Sequence, residues 1–140
     1  MILYLHGFRS SPSSLKARLL AQHFAAIGRA DEFICPQLPA SPAEAIALAQ
    51  QLIDAYRGDT LVLIGSSLGG YYATYLAEQN HCRAILVNPA VKPPRDLEKY
   101  VGVTTAFHSD APFEFKHEYI AELKQFVIDK ITQPESYFLM

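Results

Sequence analysis

Residues 65–69 have the sequence GSSLG, which matches the pattern G-x-S-x-G. In this pattern the central serine, here Ser67, lies in a sharp turn between a strand and a helix, and its hydroxyl attacks acyl groups. Because the pattern is short, its surroundings must support it. An unbroken apolar run at 61–64 precedes it and a helical pattern begins at Leu68, as the motif requires. We therefore predict that Ser67 is a nucleophile.

The glycines of this segment have a steric role. Ser67 must adopt a strained backbone conformation, and side chains at Gly65 and Gly69 would collide with neighbouring backbone. The helix that follows begins with unpaired amide groups and a positive dipole end. The Leu68 amide is therefore predicted to stabilise the oxyanion of a tetrahedral intermediate. An ordinary strand-to-helix turn and a phosphate-binding loop are the alternatives, but the segment lacks the GK[ST] and GxGxxG patterns of nucleotide-binding loops.

The tripeptide His6-Gly7-Phe8 directly follows the first predicted strand. If that strand lies beside the strand that precedes Ser67, the Phe8 amide reaches the same point as the Leu68 amide and becomes the second oxyanion donor. His6 and Gly7 are predicted to shape this turn. A role of His6 as the catalytic base is the alternative.

A serine hydroxyl needs a histidine to take its proton and a carboxylate to orient that histidine. In proteins with this G-x-S-x-G turn between a strand and a helix, the acid and then the histidine follow the serine along the chain, and each lies after the end of a late strand. The residues available after Ser67 lie instead on helices, in an irregular stretch or before a strand; they are His81, His108, His117, Asp96, Asp110 and Asp129. We therefore predict that this sequence lacks the base and the acid.

Short β-branched runs alternate with longer amphipathic patterns along the chain, which is typical of βαβ units and a parallel sheet. Ser11 is the predicted N-cap of the first helix, and Ser41 with Glu44 forms a capping box at the start of the second. Strands are predicted near 2–5, 32–35, 61–64, 84–87 and 136–140, and helices near 12–27, 42–57, 68–79 and 117–131. The fold class is therefore α/β, a three-layer sandwich with a mostly parallel sheet in one domain, 1–140.

The alternation lapses over residues 91–115, where Pro93-Pro94, Gly102 and Pro112 interrupt it. A long excursion after a strand can form a partial lid over a site, and a surface loop is the alternative. The walls of the pocket are expected to come from this stretch.

Composition excludes several classes of function. The formal net charge of −2 and the absence of a Lys/Arg run argue against a nucleic-acid or membrane-surface partner. No apolar run approaches the roughly 20 residues of a bilayer span, so we expect a cytoplasmic protein. Cys35 and Cys82 are too few for a disulfide framework and are predicted to be reduced core residues. We expect neither a cofactor nor a metal.

Four segments, in order, resemble the YqiA-like esterases, a bacterial branch of the α/β-hydrolase fold. They are LYLHGFRSSPSSLKA, CPQLPASPAEA, LIGSSLGGYYATYLAE and LVNPAVKP. GSSLGGYYAT with NPA after the next strand is more specific than G-x-S-x-G alone. The resemblance implies Ser67 as the nucleophile and the Phe8 and Leu68 amides as oxyanion donors. It also implies that Asn88 and Pro89 lie at the rim of the pocket.

The resemblance further implies a GDE-type turn with the acid after the fifth strand and a GGxH turn with the histidine after the sixth. Neither motif occurs in this sequence, so we expect a truncated hydrolase domain that lacks the C-terminal strand-helix portion. Its last strand then leaves an apolar edge open, which could support a homo-oligomer.

Three functions follow as hypotheses. The first is a serine esterase or thioesterase that hydrolyses small acyl esters through an acyl-serine intermediate. The second is an inactive hydrolase fragment that acts as an interaction module through its exposed strand edge. The third is a flavodoxin-like nucleotide-binding domain, with phosphate bound at the glycine-rich turn.

Overall fold

Parallel strand pairing organises the fold in the computed structural model, which describes residues 1–107 and 109–140. The strands of these residues are β1 (Ile2–Leu5), β2 (Phe33–Ile34), β3 (Val62–Ser66), β4 (Arg83–Val87), β5 (Gly102–Thr105), β6 (Pro112–Phe115) and β7 (Tyr137–Leu139). Strands β2, β1, β3, β4 and β7 form one sheet in that order, and each neighbouring pair is parallel. The predicted parallel sheet is confirmed.

Helices cover both faces of this sheet. They are α1 (Leu15–Ala26), α2 (Pro42–Ala55), α3 (Leu68–Asn80), α4 (Pro93–Asp96) and α5 (Glu118–Lys124). On one face Tyr4 and Ile64 of the sheet pack with Ala17 of α1. On the other face the buried sheet residues pack with the apolar sides of α2, α3 and α5. The three-layer α/β fold class is therefore confirmed, and none of the described helices is long and apolar enough to cross a membrane.

Two predicted helix starts differ in detail from the structure. Helix α1 is capped by Ser14, whose Oγ accepts from the Ala17 amide at 3.4 Å, rather than by Ser11. The Ser11 hydroxyl accepts instead from the Ser13 amide at 3.1 Å, so Ser11 belongs to a turn before the helix. Serine is favoured at an N-cap, so both Ser11 and Ser14 were suitable, and the sequence-based prediction named Ser11.

The predicted capping box at Ser41 is half correct. The Ser41 hydroxyl accepts from the Glu44 amide at 3.2 Å, as expected. Among the described residues the exposed Glu44 does not accept from this end of the helix. Instead Glu122 of α5 accepts from the Ser41 hydroxyl at 2.6 Å and from the Ala43 amide at 2.9 Å. A tertiary contact has thus replaced the local one.

The excursion at 91–115 is more regular than predicted. After α4 and a short 3-10 turn, β5 and β6 pair antiparallel to form a hairpin. Both strands have only four residues. Strand β5 lies largely exposed and shows no alternation, and β6 alternates over its four residues only, which is the shortest run that can indicate a strand. The helix predicted to reach residue 131 ends at Lys124, because the chain turns there and packs Phe126 on Tyr75 at 4.9 Å between ring centroids.

Candidate active site

Ser67 lies between β3 and α3 with a strained backbone, φ 52° and ψ −117°. A non-glycine residue in this region costs about 1–3 kcal/mol and is tolerated where its surroundings fix it. Here the Ser67 amide donates to the Val87 carbonyl at 3.1 Å, and the Ser67 carbonyl accepts from the amides of Gly70 and Ala90, both at 2.9 Å. The end of β4 and the turn after it therefore hold the strained turn in place and leave the Ser67 side chain exposed.

Two glycines allow the chain to approach itself closely around this turn. A Cβ on Gly69 would overlap the Leu5 carbonyl oxygen at the end of β1, and a Cβ on Gly65 would overlap the Gly69 carbonyl. In both cases the obstacle is backbone in a sheet or helix, which cannot move aside. The spacing of the motif is thus explained by backbone packing between β1, β3 and α3.

The loop after β1 lies directly against Ser67. Strand β1 pairs with β3 in the register Leu5 to Gly65, and a Cβ added to Gly7 would lie 3.3 Å from the Ser67 Cβ. Across residues 1–107 and 109–140, no backbone carbonyl accepts from the Phe8 or the Leu68 amide. Both amides are therefore free to bind a third group, as an oxyanion hole requires.

A cavity of about 590 Å³ opens over these residues. Its walls come from the loop after β1, the start of α1, the Ser67 turn and the excursion; the residues are Tyr4, Gly7, Phe8, Arg9, Ser10, Ser14, Leu15, Lys16, Ser66, Ser67, Leu68, Ala90, Asp96, Leu97, Tyr100 and Phe107. Arg9, Lys16, Tyr100 and Phe107 were not singled out by the sequence analysis, because no motif marks them.

The Asn88-Pro89-Ala90 turn differs from its expected place at the rim. It is Ala90 that lines the cavity. Pro89 packs behind the site, where a Cβ on Gly70 would lie 2.7 Å from the Pro89 Cβ. Asn88 has a positive φ of 43° and its amide donates to the Met140 carbonyl at 3.0 Å. Asn88 and Pro89 thus support the Ser67 turn from behind.

His6 is buried and both of its ring nitrogens contact backbone. Nδ1 lies 2.9 Å from the Gly7 carbonyl oxygen, and Nε2 accepts from the Leu38 amide at 2.9 Å. Nε2 must therefore be unprotonated, and Nδ1 carries the proton. Burial lowers the pKa of His6, although its bond to the Gly7 carbonyl acts in the opposite direction. These bonds fix the loop after β1 and leave no nitrogen for Ser67.

A lower pH is expected to reduce the stability of the fold because His6 is buried in its neutral form. Because its folded pKa is lowered, the unfolded chain binds a proton first, so His6 supports the fold above pH about 6.5 and that support is lost as pH falls through the folded pKa. We expect the free energy of unfolding, measured by urea titration, to fall more in the native chain than in His6→Gln between pH 7 and 5.5. His117→Gln, at an exposed position, should keep the native profile; equal profiles for native and His6→Gln would contradict the assignment.

The other predicted base and acid positions are dispersed. His81 lies at the far end of α3, roughly 20 Å from Ser67 at 1.5 Å per residue, and His117 lines a separate groove with Arg95. Asp96 lines the cavity but pairs with Arg95 at 2.8 Å. Asp110 and Asp129 are exposed, and His108 lies outside the described residues. Within 1–107 and 109–140, histidine side-chain hydrogen bonds are those of His6.

Throughout the described residues, no three potential His, Cys, Asp or Glu ligands converge on one point. Cys35 and Cys82 are free and half-buried, and each packs against a core cluster, in agreement with the predicted core positions. Burial raises the pKa of each thiol to about 11, which keeps both in the unreactive protonated form at neutral pH.

The sheet and the strained serine turn together define an α/β-hydrolase fold, although the strand order alone is shared with flavodoxin-like domains. Solved structures agree. One is a protein from Agrobacterium vitis S4 that is provisionally described as a hydrolase. It is similar at 18% identity and a TM-score of 0.71, and the match covers 91% of this chain and 61% of the Agrobacterium chain. Mouse alpha/beta hydrolase domain-containing protein 10 is similar at 15% identity and a TM-score of 0.68, and the match covers 91% of this chain and 61% of the mouse chain. Est1E from Butyrivibrio proteoclasticus, with bound ferulic acid, is similar at 12% identity and a TM-score of 0.66, and the match covers 89% of this chain and 60% of the Est1E chain.

The sequence matches the family UPF0227, described as an uncharacterised protein family, over residues 1–140. The chain therefore belongs to this family, and the resemblance to the YqiA-like branch of the α/β hydrolases is confirmed. It spans about 61% of the length of the first two structures named above.

Proposed function

We propose that Ser67 is the nucleophile of an esterase or thioesterase that hydrolyses small acyl esters. The observation that carries this proposal is the meeting, at one cavity wall, of Ser67 in a strained turn with the unpaired amides of Phe8 and Leu68. A strained residue beside two free donors is costly to maintain and is the arrangement that acyl transfer requires. Membership of a family with the hydrolase fold supports the same chemistry.

The reaction proceeds in two steps. Ser67 Oγ bonds to the acyl carbon while a base takes its proton, and the carbonyl oxygen becomes an oxyanion that accepts from the Phe8 and Leu68 amides. The intermediate then collapses, and the departing alcohol or thiol takes the proton. Water attacks the acyl-serine with help from the same base and releases the acid.

The base of this reaction is not assigned to a described histidine. His6 uses both nitrogens elsewhere, and His81 and His117 lie away from the cavity. We therefore expect acylation and deacylation by this chain to be slow, since a positioned base contributes about 10²–10⁴ in rate. Imidazole added to the buffer can act as an external base.

The test is capture of the acyl-enzyme. After incubation of the chain with 4-nitrophenyl butyrate, intact-mass and peptide analysis should find one butyryl group, on Ser67, that persists because deacylation is slow. A butyryl group on Ser66 or on surface lysines, with Ser67 unmodified, would contradict the proposed nucleophile.

The second candidate is an interaction module. It is favoured by the side chains at the end of the sheet, where Phe138 is 61% exposed and Leu139 and Met140 are each 70% exposed. Strand β7 pairs with β4 on one side, and an open strand edge with apolar side chains can pair with another chain. Sedimentation should then depend on protein concentration, and Phe138→Lys should remove this dependence. A monomer at all concentrations would exclude this function.

A further inference from the structure

Two cationic side chains line the Ser67 cavity, and the acyl-transfer chemistry does not use them. Arg9 lies in the loop after β1 and Lys16 in the first turn of α1. The chain as a whole carries a formal charge of −2, so this wall differs in sign from the average surface. A cation at the mouth of a reaction cavity affects which substrates enter it and bind.

Arg9 is held rigidly at this position. Its backbone has a positive φ of 61°, which is uncommon for a residue with a long side chain. Its carbonyl accepts from the Phe107 amide at 2.8 Å, its Nε donates to the Thr105 carbonyl at 2.7 Å, and its guanidinium lies 4.4 Å from the centre of the Phe107 ring. The side chain is therefore ordered before any ligand binds, which lowers the entropic cost of binding.

The anchoring of Arg9 leaves its two terminal nitrogens available. Among the described residues Nε is the guanidinium atom that donates a hydrogen bond, and a guanidinium has four further N–H donors on its Nη atoms. The acidic residue of the same cavity, Asp96, already pairs with Arg95. In the described part of the chain the ion pairs are those of Arg29 with Glu32 and of Arg95 with Asp96, so Arg9 and Lys16 present positive charge to the cavity without an ion-pair partner there.

From this juxtaposition we propose that the substrate is an ester with an anionic group, a carboxylate or a phosphate, that binds Arg9 and Lys16 while its acyl carbon lies at Ser67. The inference rests on the proposed function, because it places a substrate at that site. The planar guanidinium suits a two-oxygen contact with either anion. Arg9 is then a specificity-determining residue, and the loop that carries the Phe8 oxyanion donor also carries the anion-binding group.

The test compares two esters of equal acyl length, 4-nitrophenyl adipate, which ends in a carboxylate, and 4-nitrophenyl hexanoate, which is neutral. Ser67-dependent hydrolysis is measured with added imidazole as the base, after subtraction of the Ser67→Ala rate. We expect kcat/KM for the adipate ester to exceed that for the hexanoate ester about tenfold or more, since a charge-assisted contact is typically worth that much. The preference should shrink at high salt.

Variants separate charge from folding. Lys16→Met and Arg9→Met should each lower the adipate preference severalfold, although Arg9→Met also weakens the loop and slows both esters. Arg18→Met, at an exposed α1 position outside the cavity lining, should keep the native preference. Inhibition by inorganic phosphate at lower concentration than by acetate would identify a phosphate group, and the reverse order a carboxylate.

Each failure has a different meaning. Ser67-dependent hydrolysis of both esters at equal rates, or a preference for hexanoate, would overturn the anionic substrate and leave the proposed function in place. Hydrolysis of neither ester above the Ser67→Ala rate would overturn the proposed function, and the inference with it.

Discussion

Replacement of Ser67 by alanine is expected to reduce imidazole-supported hydrolysis of 4-nitrophenyl butyrate by about 10²–10³, less than in a complete triad because the positioned base is already missing. The variant should keep a residual rate above the rate without protein, since the oxyanion hole and substrate binding still assist attack by water. The measurement is the release of 4-nitrophenolate under single-turnover conditions.

The adjacent serine provides the matched control for this substitution. Ser66 ends β3 and is half-buried, so its removal changes a neighbouring hydroxyl without removing the strained turn. Ser66→Ala should retain at least about a tenth of the native rate, since it leaves the Ser67 hydroxyl and the Phe8 and Leu68 amides in place. If Ser66→Ala loses activity and Ser67→Ala keeps it, the assignment within GSSLG is wrong.

Replacement of Gly69 by alanine is the substitution with the largest expected effect on stability. Its Cβ would overlap the Leu5 carbonyl, which belongs to a central strand, so β1 and α3 must move apart. We expect a loss of at least about 3 kcal/mol in the free energy of unfolding, the upper range for overpacking and a large share of the 5–15 kcal/mol typical of a domain. Urea unfolding at pH 7.5 measures this.

Gly58→Ala is the control for this prediction. The atoms nearest to a Cβ at Gly58 belong to the end of the Tyr56 side chain, which can rotate away. We expect a change within about 1 kcal/mol, of either sign, because alanine also restricts the unfolded chain. Similar losses for the two variants would show that the close approach of β1 and α3 is not what Gly69 permits.

The features of the site that depend on neighbours in sequence were predictable. GSSLG lies between an apolar run and a helical pattern, and that order is enough to predict a strand, a sharp turn and a helix with its amide groups free. The pairing of β1 with β3 followed from the fold class, and it predicted that Gly7 and Phe8 would lie near Ser67. The short contact between Gly7 and Ser67 agrees with this.

The features that depend on distant residues were not predictable from the pattern. Arg9 bonds to Thr105, 96 residues away, and the Phe8 ring packs against Phe113 and Phe115 at 5.2 Å between centroids. No local propensity encodes such contacts. The hairpin of β5 and β6 contacts the loop after β1 through these rings, so the interpretation of residues 91–115 as a partial lid stays a prediction with a physical basis.

His6 illustrates a residue whose type suggested two roles. A histidine beside a catalytic turn can be a base or a structural link, and the sequence could not separate them. The contacts with the Gly7 carbonyl and the Leu38 amide support the structural role, because both nitrogens are used. The sequence could not show that the Leu38 amide, 32 residues further along the chain, lies next to the His6 ring.

The central claim is that Ser67 is a nucleophile in a formed oxyanion hole without a base among the described residues. Its most direct test is the rate of labelling by a fluorophosphonate, mapped by peptide mass spectrometry, as a function of imidazole concentration. We predict a single label on Ser67, formed slowly in plain buffer and faster in proportion to imidazole. Fast labelling that imidazole does not change would contradict the missing base and make His108 the residue to replace, and a label elsewhere would contradict the nucleophile itself.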